Sequence, residues 1–75
     1  MSYDIILHAA KTTKASPPLN TLITEYDFNN ALKESNQTEQ ELLDFLNLHF
    51  NFKLMKKENF PTNKGNLKFY NFRCQ

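Results

Sequence analysis

Glycine is almost absent from this chain: Gly65 is the only one in 75 residues. That excludes glycine-rich phosphate loops and the G-x-S-x-G elbow, which need several positions of close backbone approach or positive φ. Cysteine is equally scarce. Cys74 has no partner for an internal disulfide and cannot anchor a cysteine-rich zinc site, and His8 and His49 lie far apart without ligand spacing. Cys74 is expected to be a small strand residue in a reduced cytoplasm, with a reactive thiol as the alternative. No apolar run approaches the ~18 residues of a membrane span. The opening Met1-Ser2-Tyr3-Asp4 lacks the basic region of a secretory signal. There is no H-E-x-x-H, no C-x-x-C and no nucleophile–base signature, so the expectation is no enzyme, no cofactor and no metal.

What the chain has is aromatic mass and segregated charge. Seven Phe and three Tyr can build a core in a domain this small, since each aromatic buries ~150–250 Å². A length of 75 residues bounds the chain to one domain, 1–75. From Thr21 to Phe50, Lys33 stands alone against Glu25, Asp27, Glu34, Glu39, Glu41 and Asp44. From Asn51 to Gln75, Lys53, Lys56, Lys57, Lys64, Lys68 and Arg73 face only Glu58. A formal net charge of +1 thus hides an acidic segment beside a basic one.

Local patterning predicts the order β-α-α-β-β, an α+β domain with a three-stranded antiparallel sheet and helices on one face. Tyr3–Ala10 has a β-branched centre, Ile5-Ile6-Leu7, and is expected to be a strand. Lys11–Asn20 is expected to be a loop, with Pro17-Pro18 barring helix interior and central strand. Thr24 with Asp27 three residues on starts a helix that runs to about Lys33. Thr38-Glu39-Gln40-Glu41 is a full capping box and starts a second helix that ends near Phe50. Phe52–Asn59 and Leu67–Cys74 are predicted strands of a hairpin, with Pro61 ending the first and Gly65 available for positive φ. A single helical crossover favours strand order 1-3-2; two separated helices favour strand 2 in the centre. The expected core joins Leu42, Leu43, Phe45, Leu46 and Phe50 to Ile5, Leu7, Leu54, Leu67 and Phe69.

If Leu67 and Phe69 face the helices, then Lys68, Tyr70 and Phe72 face outward with Lys53, Met55 and Lys57. Rings among cations suit a protein interface or a single-stranded nucleic-acid platform. The candidate partner-binding residues are therefore Lys53, Lys56, Lys57, Lys68, Tyr70, Phe72 and Arg73. The alternative is that Tyr70 and Phe72 pack internally while the lysines keep an edge soluble. Glu34, Glu39, Glu41 and Asp44 form a secondary acidic surface able to mimic phosphates, although helix capping also accounts for acids in a first turn.

Among known modules, a KH domain needs a G-x-x-G loop that is missing here. A winged helix-turn-helix would set the second helix in the major groove, where Glu39, Glu41 and Asp44 would meet phosphates. In size and make-up the chain resembles the small inhibitors carried by phages and mobile elements, anti-CRISPR proteins among them. That resemblance implies a cytoplasmic, non-enzymatic protein that occludes a protein or ribonucleoprotein complex. Direct binding of RNA or single-stranded DNA through the hairpin is the alternative. No membrane partner is expected, and a second copy of the chain is a further candidate.

Overall fold

A computed structural model describes residues 1–15 and 20–74. The elements are α1 (Ser2–Ala15), β1 (Asn20–Thr24), α2 (Glu25–Ser35), α3 (Glu39–Phe50), β2 (Phe52–Thr62) and β3 (Gly65–Cys74). The strands form one antiparallel sheet in the order β1-β3-β2. The fold class is α+β, as expected, but the element order is α-β-α-α-β-β.

The segment expected as the first strand is helical. Ile6, Ala10 and Thr13 are buried at helical spacing, with Tyr3, Leu7 and Ala9 packed beside them. That stripe outweighs the β-branched pair Ile5-Ile6. Tertiary structure also caps α1. The Ser2 and Tyr3 backbone N–H groups donate to the Glu34 carboxylate at 3.1 and 3.0 Å, which satisfies donors that a helix start leaves open. The place beside β3 belongs to Asn20–Thr24, whose sequence NTLIT holds three β-branched residues. Of the expected loop, residues 11–15 continue α1 and Asn20 opens β1; Pro17 and Pro18 lie outside the described residues.

Capping fixes the next two helices. Thr24 accepts from the Asp27 N–H at 3.1 Å. Thr38 accepts from the Glu41 N–H at 3.2 Å, and the Glu41 carboxylate accepts from the Thr38 N–H at 2.9 Å, which completes the capping box. Both helices end on an asparagine in the left-handed region, Asn36 at φ 54° and Asn51 at φ 53°. Asparagine thus takes the role glycine usually fills at a helix end.

One face of the sheet packs on the helices. Phe28 of α2 lies 4.5 Å from Tyr70 and 6.1 Å from Phe72 between ring centroids, and Phe52 stacks on Phe72 at 4.7 Å. Ile6, Ile23, Leu42 and Leu46 close the core around them. The phase of β3 is therefore the reverse of the expected one. Tyr70 and Phe72 are buried under the helices, whereas Leu67 is exposed and Phe69 half-buried on the far side. Ile5 also leaves the expected core, being half exposed on α1. Leu43, Phe45, Phe50, Leu7 and Leu54 pack against the core without being fully buried.

A β-bulge explains why simple alternation fails on β2. Leu54 pairs with Phe72 but Lys56 pairs with Asn71, so Met55 is the additional residue. Beyond it, Lys57 falls opposite Tyr70 on the helix side, not on the outer face. Pro61 does not end β2. It lies in register with Asn66, and an edge strand tolerates a missing N–H. The strand runs to Thr62, and Gly65 follows the turn at φ 120°, the positive value expected of it.

Candidate functional site

The residues singled out from the sequence divide between two faces. On the helix side, Tyr70 is 4% exposed and donates its hydroxyl to Glu39 Oε1 at 3.0 Å. Lys57 Nζ lies 3.4 Å from the same oxygen and 5.0 Å from the Tyr70 ring centroid. Burial, then the Glu39 hydrogen bond, then the charges of Glu39 and Glu25 push the Tyr70 hydroxyl up to about 12. Phe72 is fully buried. Neither ring is available to a partner, because the helices claimed the face on which β3 carries its two largest rings. Lys68 is exposed opposite Asn59, on the same side as Tyr70 but towards the hairpin tip.

The acidic residues have internal partners. Glu34 caps α1, Glu39 holds Tyr70 and Lys57, Glu41 closes the capping box, and Asp44 accepts from Gln40 Nε2 at 2.8 Å. Asp27 accepts from the Ser2 hydroxyl at 3.1 Å. Each of the four candidate acids, Glu34, Glu39, Glu41 and Asp44, thus has a structural role.

The remaining candidates, Lys53, Lys56 and Arg73, share the face that no helix covers. Directly paired residues of an antiparallel sheet lie on one face, so this surface comprises Asn20, Leu22 and Thr24 of β1, Leu67, Phe69, Asn71 and Arg73 of β3, and Lys53, Lys56, Glu58 and Phe60 of β2. Its apolar part is large. Leu22 is 47%, Phe60 43% and Leu67 48% exposed, and Phe60 meets Phe69 edge to face at 5.6 Å. Sequence reasoning missed these residues, together with Asn71. Leu67 and Phe69 were legible as apolar, but alternation alone cannot say which side of a doubly apolar strand the helices take.

Two features of this face are unfavourable for the isolated fold. Lys53 and Arg73 stand directly opposite each other, and neither makes an ion pair among the described residues. Like charges so placed are destabilising. At the centre, Asn71 is only 8% exposed. Its Nδ2 donates to Glu58 Oε2 at 2.8 Å, but its Oδ1 is buried with no hydrogen-bond partner among the described residues. Glu58 also lies 3.8 Å from Lys56. The carboxylate needs the amide nitrogen, so a flip of Asn71 would not satisfy the amide.

Helix α2, the turn 36–38 and α3 stand ahead of the long hairpin β2–β3. Compared with protein-family models, curated proteins and solved structures, the chain finds no match. Helix α3 exposes Gln40, Glu41, Asp44, Asn47, Leu48 and His49 and contains no Lys or Arg. A duplex seated on α3 would meet carboxylates in place of cations. Among the described residues no cavity opens, no metal-holding cluster gathers, and no helix is long and apolar enough to cross a membrane.

Proposed function

We propose that this chain is a non-enzymatic binding protein that covers part of a macromolecular partner and acts by occlusion, with the open face of the sheet as its working surface. One observation carries the reading. The helices pack on one side only, and the other side joins Leu22, Phe60, Leu67 and Phe69 to Lys53, Lys56 and Arg73. An apolar centre beside a cationic margin is the make-up of a docking surface, with the charges steering approach to an acidic partner. The partner class is a complex that handles nucleic acid, a protein or ribonucleoprotein assembly. The likeness in size and make-up to phage and mobile-element inhibitors, anti-CRISPR proteins among them, belongs to the same proposal. So does a cytoplasmic setting, in which the buried free thiol of Cys74 stays reduced.

The test is affinity capture of partners from the native lysate, with wild type beside Leu22→Glu and Leu67→Glu. Both leucines are about half exposed, so the variants are expected to fold, which circular dichroism checks. A partner retained by wild type and by Asp44→Asn but lost by both leucine variants supports the open face. A partner retained by the leucine variants and lost by changes on the helices sinks it.

A further inference from the structure

We infer that the open face grips single-stranded RNA, as a free strand or as the exposed strand of a ribonucleoprotein. This inference rests on the open face being the working surface. Three features of the face call for different chemical groups, and a single-stranded polynucleotide supplies all three. Among the described residues the opposed cations Lys53 and Arg73 have no anion, and a phosphate placed between them relieves their repulsion while gaining two charge-assisted contacts. Phe60 offers an exposed ring and Phe69 a half-buried one beside the exposed Leu22 and Leu67, where bases can stack or lie flat.

Among the described residues Asn71 Oδ1, between these two regions, has no donor, and because it is buried a ligand donor reaches it only as the side chains above it move aside. Phosphates and carboxylates accept only, so an acidic protein patch answers the cations but leaves this atom unmet unless an N–H or O–H comes with it. Every ribonucleotide brings a 2′-hydroxyl donor as well as base N–H groups, independent of sequence. Glu58, next to Asn71, accepts from the same donors, and Lys56 offsets its charge towards phosphate.

The geometry along β3 fits a short strand. Phe69, Asn71 and Arg73 point from one face at alternate positions, so ring, acceptor and cation succeed one another at ~7 Å. The base, ribose and phosphate of one nucleotide lie closer together than this, so the three side chains would meet successive nucleotides of an extended strand. The other macromolecules fit less well. A second copy would bring its own Lys53, Lys56 and Arg73 against these three, and a duplex hides its bases from Phe60 and Phe69.

The probe is a fluorescein-labelled 12-nucleotide RNA of mixed sequence, read by anisotropy against the same sequence as single-stranded DNA and as duplex. Saturable RNA binding is expected at 50 mM salt, with a log–log salt slope of about −0.7 from the phosphate held between Lys53 and Arg73. Arg73→Glu and Lys53→Glu should each weaken binding about tenfold or more and flatten the slope, and Phe69→Ala should weaken it about tenfold with the slope unchanged. Lys33→Ala, on α2, should change nothing. Arg73 and Lys53 are exposed, so their variants keep the test valid if Phe69→Ala does not fold. No saturable RNA binding, equal or tighter binding of DNA or duplex, or binding indifferent to Arg73→Glu overturns the inference. If RNA fails while captured partner survives nuclease and is lost by Leu67→Glu, the open face stands and its partner is a protein. If Leu67→Glu leaves capture intact, the reading of the open face fails as well.

Discussion

The Tyr70 hydroxyl donates to the Glu39 carboxylate across 3.0 Å, and this bond ties the basic hairpin to the acidic helices. The two oppositely charged halves of the sequence therefore meet inside the domain. Lys57 adds a second link to the same carboxylate at 3.4 Å. Part of the charge segregation seen in the sequence is thus a device of folding, and the cations left over on the open face are the ones available to a partner.

That bond has an alkaline signature. The Tyr70 hydroxyl titrates at about 12 in the folded protein against 10.0 for the unperturbed group. Below pH 10 both states hold the proton and the contribution is complete. Between pH 10 and 12 the unfolded state ionises while the folded state does not, so stability falls as pH rises through that window. Tyr70→Phe keeps the buried ring and removes the hydroxyl. At neutral pH it should cost about 1 kcal/mol, below the ~1.5–3 kcal/mol of a bond to a charged group because Glu39 is partly exposed. The variant should also lose less stability than wild type between pH 10 and 12. Parallel urea midpoints for the two proteins across that window would exclude Tyr70 as the titrating group.

Helix α1 should depend on a cap that is remote in sequence. Glu34→Ala removes the acceptor for the Ser2 and Tyr3 N–H groups and is expected to cost ~0.5–2 kcal/mol, the range for losing an N-cap. Thr38→Ala should fall in the same range through the local capping box of α3. Hydrogen exchange separates the two. Glu34→Ala should raise exchange in the first turn of α1, and Thr38→Ala in that of α3. Unchanged exchange in α1 would show that Glu34 does not hold it.

What the sequence made legible follows this difference between local and remote signals. Thr24 and Thr38 announce their helices because cap and capped groups lie three residues apart. Strand order is not decided by the sequence, which allows 1-3-2 or a central strand 2; the structure takes β1-β3-β2, with Asn20–Thr24 and not Tyr3–Ala10 beside β3. The cap of α1 was not legible, since Glu34 is 31 residues from Tyr3. The working face was missed for a related reason. Leu67/Phe69 and Tyr70/Phe72 are rival apolar sets on one strand. The choice is made by Phe28, which packs on Tyr70 and Phe72, and by the bulge at Met55, which no local pattern marks.

The same phase argument predicts a contrast in the core. Leu46 is fully buried and Ile5 is half exposed, although both were expected inside. Leu46→Ala should cost ~2–5 kcal/mol, whereas Ile5→Ala should cost well under ~1 kcal/mol, because little apolar area leaves water there on folding. Chemical denaturation of the two variants measures both. Equal losses would mean that α1 presents a different face to the core.

Asn71 separates stability from binding. A buried acceptor without a partner disfavours the free fold by ~1–3 kcal/mol. Asn71→Val removes that acceptor and places a β-branched residue in the central strand, at the expense of one bond to Glu58, which keeps Lys56 nearby. Free-protein stability should therefore hold or rise by up to ~1 kcal/mol. Partner binding should fall about tenfold, because the ligand's donor then meets a methyl group. A destabilised variant that binds as wild type would make Asn71 a structural residue that organises Glu58. A stable variant with weakened binding would instead show that the unmet oxygen contributes to the ligand's site.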